Sequence, residues 1–252
     1  MENNQNFHEN YIEGRNAVLE AFRSGKTIDK LFVLDGCQDG PIKSITREAR
    51  KHDTIITYVA KERLEQMSET GKHQGVIAVS AAYEYASVDD ILENARAKGE
   101  TPFVIILDGI EDPHNLGAII RTANLAGAHG VIIPKRRAVG LTPTVAKTSA
   151  GAINYTPVAK VTNISNTIKE LKDQGMWFVC ADMGGTPMYD LNLTGSIGLV
   201  IGNEGEGVSK LVKENCDMVA SIPMKGDIDS LNASVATGVL TYEIVRQRLN
   251  KG

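Results

Sequence analysis

The sequence predicts an α/β protein in two parts, and three observations carry that reading. Short apolar runs alternate with segments whose apolar residues recur every three or four positions. Glycine and proline punctuate the junctions. One charged, weakly amphipathic stretch separates an earlier series of such runs from a later one. Apolar runs flanked by helices are the pattern of a mostly parallel sheet covered on both faces. With 252 residues, 42% hydrophobic and 23% charged, the chain can bury roughly 70–75% of its unfolded surface. That excludes disorder, collagen-like repetition and a small stapled scaffold.

The start, MENNQNFHENYIEG, is polar and lacks a basic-then-apolar leader. Residues 14–22 (GRNAVLEAF) then read as a helix with Val18, Leu19 and Phe22 on one side, stopped by Ser24 and Gly25. LFVL at 31–34 is a strand ending at Asp35-Gly36, Pro41 opens a charged helix running to Arg50, and ITYV at 56–59 is a second strand. KERLEQMSE is a further helix, and VIAVSAAY after Gly75 a third strand. These make a small α/β domain over 1–82. The stretch 84–100, EYASVDDILENARAKGE, carries only the weak stripe Val88, Ile91, Leu92 and Ala95 and closes at Lys98-Gly99, so 83–101 reads as a linker containing a helix. The larger domain, 102–252, follows with FVIIL (103–107), VII (131–133), TPVAKV (156–161), WFVC (177–180), GLVIG (198–202) and MVASIP (218–223) as strands.

Charge and cysteines narrow the class. Cys37, Cys180 and Cys216 are widely spaced, without CxxC or a Cys/His cluster, which indicates neither a disulfide framework nor a zinc site and suits a reducing cytoplasm. His114, beside Asp112, lacks partners at ligand spacing and is assigned to a loop; no metal is expected. No apolar run approaches the roughly 18 residues that span a bilayer. The net charge of −4 argues against a histone-like coat, yet a nucleic-acid footprint needs only a local patch. Lys135, Arg136 and Arg137 with Lys147 form one candidate, and Arg15, Arg23, Lys26, Lys72 and His73 another.

Ligands of open α/β sheets bind beyond the carboxyl ends of strands, and three such loops are unusual here. After FVIIL comes DGIEDPHNLGAIIRTANLAGA: Pro113 enforces an extended approach, Asn115 is a good N-cap type, and Arg121 lies off the buried stripe, one turn after Gly117, leaning back toward Asn115. After GLVIG, the loop GNEGEGVS has three glycines that permit close backbone approach to a ligand, but its spacing is neither GxGxxG nor a P-loop, and Glu204 and Glu206 would repel phosphate. A neutral or cationic ligand suits it better. After MVASIP, a helix begins that Ser230 or Asn232 can cap, with Val235, Val239 and Tyr242 and also Leu240 and Ile244 in i, i+4 rows, and with small residues Ala233, Ser234, Ala236 and Gly238 in its first turns.

Asp112-Pro113-x-Asn115-x-Gly117 with Arg121, then GNEGEG, then IPM with SLNASVATG, in this order and each at a strand end, resemble the three motifs of the SpoU/TrmH family of SPOUT-class RNA ribose 2′-O-methyltransferases. The resemblance spans most of 103–245. IEGRNAVLEAF and VAKTSAGAINYTPVAKVTNI are similar to the subgroup that methylates a guanosine of 23S rRNA, whose N-terminal domain is ribosomal-protein-like and binds RNA. The resemblance implies a C-terminal segment threaded into a deep trefoil knot, against the usual avoidance of threading, and a homodimer. It implies S-adenosylmethionine as cofactor, held at Gly202, Ile222 and Leu231 with Asn203, Gly205 and Met224 beside them. It implies a catalytic set of Asn115, Arg121, Glu204, Ser230 and Asn232. Within that set Arg121 binds the target phosphate and stabilises the developing alkoxide, because a guanidinium stays protonated. Asn115 would orient the 2′-hydroxyl or Arg121, Glu204 would hold Arg121 or tune its charge, and Ser230 and Asn232 would complete a hydrogen-bonded ring. Competing readings are the same reaction on tRNA, a non-catalytic RNA-binding protein on the same fold, and a nucleotide-dependent oxidoreductase, which lacks GxGxxG after its first strand.

Overall fold

A computed structural model describes residues 10–228 and 230–250; the polar start read at 1–9 lies outside them. The chain divides into two compact units, one built on residues up to Glu84 with 140–143, the other on 85–139 and 144–252.

The first unit contains β1 (Tyr11–Glu13), α1 (Arg15–Arg23), β2 (Ile28–Leu34), α2 (Gly40–Lys51), β3 (Ile55–Val59), α3 (Lys61–Met67) and β4 (Val76–Ser80). The sheet order is β1-β4-β2-β3. β2 and β3 run parallel, and β4 runs antiparallel to both β2 and β1. Strand β1 escaped the sequence reading because three residues in a polar setting carry no alternation; Tyr11, Ile12 and Glu13 gain their order by pairing with Val79, Ala78 and Ile77. Helix α2 starts where Asp39 accepts a hydrogen bond from Ile42 N, with Pro41 in its first turn. It buries Ile42, Ile45 and Ala49 against Val18, Phe22, Leu31 and Val33. Leu64 and Met67 cover Ile77 in a second, smaller cluster.

The second unit is a six-stranded parallel sheet in the order β10-β8-β9-β5-β6-β7. Its elements are α4 (Val88–Lys98), β5 (Phe103–Asp108), α5 (Pro113–Leu125), β6 (Gly130–Pro134), α6 (Pro143–Thr148), β7 (Val158–Val161), α7 (Ile164–Asp173), β8 (Trp177–Pro187), β9 (Ile197–Gly202), α8 (Lys210–Asn215), β10 (Met218–Ser221) and α9 (Ala233–Leu249). Val104, Ile106, Ile132, Phe178 and Val200 form the buried centre; each such side chain contributes roughly 1.5–3 kcal/mol by leaving water. Because all six strands are parallel, their carboxyl ends fall on one edge of the sheet, and the three unusual loops leave from that edge.

Three elements differ from the sequence reading. Helix α4 is sealed into this unit rather than lying in a linker: Ile91 and Leu92 belong to the core, and a Cβ on Gly130 would stand 2.5 Å from Ile91 Cγ1. A reciprocal capping box between Ser87 and Asp90 starts the helix and Gly99, at φ +65°, ends it. Strand β8 continues past Cys180 to Pro187, because after bulging out residues 181–185 opposite the consecutive pair Val219 and Ala220 it pairs with β10 again, Thr186 opposite Ala220 and Pro187 opposite Ser221. In α9 the row Val235, Val239, Tyr242 is not the buried one. Val235 and Tyr242 are half exposed, while Ala233, Thr237, Leu240, Thr241 and Ile244 face inward. Helix α9 packs on α5, but Gly238 is not part of a close contact, since a Cβ there would meet nothing within 4 Å. Arg248 anchors the far end of α9, donating to the carbonyls of Thr101, Pro102 and Gly195 and lying 5.2 Å from the Phe103 ring centre. No helix among the described residues is long and apolar enough to cross a membrane.

Candidate active site

The end of β5 is tied to the end of the glycine-rich loop: Asp108 Oδ2 accepts a hydrogen bond from Ser209 N at 2.8 Å. Asp112 caps α5, accepting from His114 N at 2.9 Å. The cap falls there because Pro113 occupies the first helical position, where its missing N–H costs nothing. Asn115, expected at the cap, therefore sits in the first turn, and His114 is helical rather than in the loop.

In the second loop, Asn203 Oδ1 accepts from Gly205 N and Glu206 N at 3.0 and 2.6 Å, and Gly207 N donates back to Asn203 O. The chain closes so tightly that a Cβ on Gly202 would lie 2.0 Å from the carbonyl carbon of Gly207 and 2.2 Å from Val208 N. Gly207 itself adopts φ +68°. A Cβ on Gly205 would meet only Asn203 Oδ1, at 3.8 Å, so the fold places no steric demand on that glycine.

The third loop delivers Asn232, which caps α9 by accepting from Ser234 N, Ser234 Oγ and Val235 N. Its Nδ2 donates to Asn115 Oδ1 at 2.9 Å and to Glu204 Oε1. Asn115 Nδ2 also donates to Glu204 Oε1, at 3.1 Å, as does Ala233 N at 3.2 Å. One carboxylate oxygen thus collects three donors, and one residue from each loop enters the same knot of hydrogen bonds.

Two cavities flank this knot. One, of about 240 Å³, is lined by Gly202, Asn203, Gly205, Ile222, Met224 and Leu231, with Ile201, Ala220 and Ala236 adding apolar wall and Glu204 and Ser230 also lining it. All six positions expected to hold the cofactor meet there. Among the described residues no lysine or arginine lines it, and Asp182, Glu204 and Glu206 do, which fits a ligand with an apolar ring and a cationic centre rather than a phosphate. The other cavity, about 680 Å³, lies between the first and second loops and is lined by Asn115, Glu204, Asp108, Glu111, Asp112 and Arg137 among others.

Three expected arrangements are not made among the described residues. Arg121 does not reach Asn115 or Glu204: it is exposed, makes no hydrogen bond or ion pair among the described residues, and lines neither cavity. It follows Asn115 by six positions, which on an α-helix places it roughly 120° around the axis. Gly117 serves packing instead of clearing a path for Arg121, since a Cβ there would overlap Thr148 Oγ1 at 1.8 Å. Ser230 lies on the cavity wall and makes no hydrogen bond to the Asn115, Glu204 and Asn232 cluster. In the first unit, His73 is buried, its Nδ1 accepting from Gly75 N, and Arg15 is ion-paired to Asp39 at 2.6 Å, so the strip expected there does not form as a free surface.

The sequence reading missed Asp182 and Met183, which line the smaller cavity from the extended half of β8. The Asp182 carboxyl is held below the usual carboxylate range by Lys213 Nζ, 2.8 Å away, and by Gly184 N. Arg137 was read only as part of a basic run; the structure sets it on the wall of the larger cavity with its backbone at φ +55°, a conformation uncommon outside glycine, asparagine and aspartate and worth a functional reading.

Residues 102–242 match the SpoU rRNA Methylase family. The chain belongs to that family. Residues 11–86 match the family described as RNA 2′-O ribose methyltransferase substrate binding. Among relatives, YacO of Bacillus subtilis (strain 168), assigned to the TrmH family of tRNA/rRNA methyltransferases, is 49% identical over 240 residues, covering 94% of this chain and 96% of its own. The SpoU methyltransferase AviRb from Streptomyces viridochromogenes, solved in complex with the cofactor AdoMet, has a TM-score of 0.60 and 26% identity over 95% of this chain and 90% of its own. The TrmH/SpoU tRNA modifying enzyme of A. aeolicus has a TM-score of 0.56 and 30% identity over 61% of this chain and 78% of its own. This SpoU family member is accordingly an RNA 2′-O-ribose methyltransferase of the TrmH type, whose reaction is S-adenosylmethionine-dependent methylation of tRNA or rRNA.

Proposed function

We propose that the chain methylates the ribose 2′-hydroxyl of a guanosine in 23S rRNA, with the smaller cavity holding S-adenosylmethionine through Gly202, Asn203, Gly205, Ile222, Met224 and Leu231. The observation that carries the reading is the convergence of all six on one phosphate-averse cavity beside the Asn115, Glu204 and Asn232 knot. When bound, the cofactor supplies a methyl already activated on a sulfonium. The protein must then orient the 2′-oxygen for in-line attack and manage its proton. Holding reactants in near-attack geometry lowers such a barrier by about 7–11 kcal/mol.

Asn115 and Asn232 are positioning residues in this reading, since both amides are engaged in fixing the Glu204 carboxylate at the seam between the two cavities. Ser230 lines the cofactor cavity and is available to the ribose hydroxyl in this reading. Arg121 and Arg137 are both exposed and free of carboxylate partners among the described residues, so each is available to an RNA phosphate. A guanidinium's fixed fork suits phosphate and the developing alkoxide better than it suits a base. The other charged residues lining the larger cavity are acidic, so an RNA phosphate there would be held by Arg137. The half-exposed Val235 and Tyr242 of α9 support a homodimer through that helix, as does the likeness to a threaded, dimeric class; the trefoil knot belongs to the same proposal.

The test is methyl transfer from labelled S-adenosylmethionine to 23S rRNA and to tRNA from cells lacking the protein, with the modified positions mapped. A single 2′-O-methylguanosine in 23S rRNA is expected. Methylation of tRNA alone, which the likeness to the A. aeolicus tRNA enzyme favours, would replace the substrate; methylation of neither would end the reading. Mass measurement in solution tests the dimer.

A further inference from the structure

The β2–α2–β3 unit of the N-terminal sheet ends in a crevice of about 680 Å³ at the carboxyl ends of its two parallel strands, lined by Asp35, Gly36, Lys43, Arg47, Arg50 and Tyr58. Lys43, Arg47 and Arg50 are spaced i, i+4, i+7 and so share one face of α2, in a row about 10 Å long. All three are exposed and make no ion pair among the described residues. Their neighbours do pair: Lys51 with Glu48 at 2.8 Å and Arg15 with Asp39 at 2.6 Å. The carboxylates nearby are therefore occupied, apart from Asp35, whose Oδ1 accepts from Gly36 N.

Opposite this row stands Tyr58, on the edge strand β3. It is 51% exposed, the least covered side chain of that strand, and makes no hydrogen bond among the described residues. An exposed aromatic ring on a crevice wall, facing unpaired cations, has the two components of a single-strand binder: a stacking platform and an electrostatic track. A duplex would offer the cations its phosphates but has no unstacked base for the ring.

We propose that this crevice is a clamp for single-stranded RNA, in which Tyr58 stacks on one unpaired base and Lys43, Arg47 and Arg50 hold the phosphates beside it. The proposal rests on the reading of the substrate as RNA and adds the part of it that is gripped: an unpaired segment rather than a helix.

The test uses the full chain and a 5′-fluorescein single-stranded oligoribonucleotide of mixed sequence, alone or annealed to its complement, with anisotropy followed against KCl. Tyr58→Ala should weaken single-strand binding roughly 5- to 100-fold, the loss of about one stacked base. It should leave duplex binding unchanged, and Tyr58→Phe should bind like the unaltered chain. Replacing Lys43, Arg47 and Arg50 together by Gln should flatten the logarithmic salt dependence by about 2, at about 0.7 per phosphate contact. S-adenosylmethionine affinity, measured in parallel, should hold in every variant and reports that the second unit is intact, while an unchanged circular-dichroism melt reports the same of the first. Unchanged single-strand affinity in Tyr58→Ala, or an equal loss for the duplex, overturns the clamp. If the unaltered chain methylates RNA while these variants bind as it does, the clamp alone fails; if it neither methylates nor binds RNA, the functional reading fails with it.

Discussion

Replacing Gly202 by Ala and, separately, Gly205 by Ala separates what the fold demands from what a ligand demands. At Gly202 the new methyl would lie 2.0 Å from the carbonyl carbon of Gly207, 2.2 Å from its oxygen and 2.2 Å from Val208 N. All three are main-chain atoms, so no rotamer change relieves the clash. Relief means opening the turn, with loss of the Gly207 N to Asn203 O hydrogen bond. Overpacking typically costs 1–3 kcal/mol, and with only backbone to move we expect the top of that range, about 3 kcal/mol. At roughly 2–4 °C per kcal/mol for a chain of this size, the melting temperature should fall by about 6–12 °C. At Gly205 the nearest atom is 3.8 Å away, and the melting temperature should not move. Both glycines line the smaller cavity, so both variants should lose S-adenosylmethionine affinity in calorimetric titration, the first through collapse of the turn and the second through the added methyl. A Gly202→Ala protein as stable as the unaltered chain would refute the turn geometry. A Gly205→Ala protein with full cofactor affinity would refute the assignment of the cavity.

Other outcomes follow from the same geometry. Asn232→Asp keeps the cap on α9 but replaces the amide donor with an acceptor facing Glu204 Oε1. Methyl transfer should drop at least tenfold and the melting temperature at neutral pH should fall, because a carboxylate then faces Glu204 where an amide donated; an unchanged melting temperature would contradict the contact. Arg121→Ala should lower methyl transfer through weaker RNA binding while cofactor affinity stays within a few fold, and parallel loss of cofactor binding would count against its role. Arg137→Ala should raise the KM for RNA about tenfold with cofactor affinity intact; an unchanged KM would remove it from the site. Burial holds the His129 imidazole below its ordinary value, overcoming the opposing hydrogen bond to Glu100 at 3.0 Å. Its Nδ1 accepts from Phe103 N, so the folded state keeps the ring neutral. The unfolded chain binds the proton more readily, and stability is therefore full above about pH 6.5 and falls as the pH drops through the lower folded value. His129→Gln should flatten that slope in melts between pH 5 and 7.

The strands lining the sheet and the loops at its edge were legible because each advertises a local constraint. FVIIL and GLVIG are apolar throughout, as strands covered on both faces must be. Gly202 and Asn232 are residue types that a tight turn and a helix cap select. Helix α4 was not legible as core, because its burial depends on the absence of a side chain at Gly130, remote in sequence. Nor was the extension of β8 through Asp182 and Met183, whose order comes from pairing with β10. His73 reads as a surface cation beside Lys72 until the fold buries it.

From its residues alone the chain determined most of its elements, the three loops and the chemical type of ligand they suit, because turns, caps and periodicity are short-range properties of neighbouring residues. Tertiary structure decided which side chains meet. Glu204 holds Asn115 and Asn232, residues 89 and 28 positions away, while Arg121, a few residues along from Asn115, stays outside. The phase of α5 and the order of the parallel strands set those distances, and both are consequences of packing that no local stretch of sequence contains.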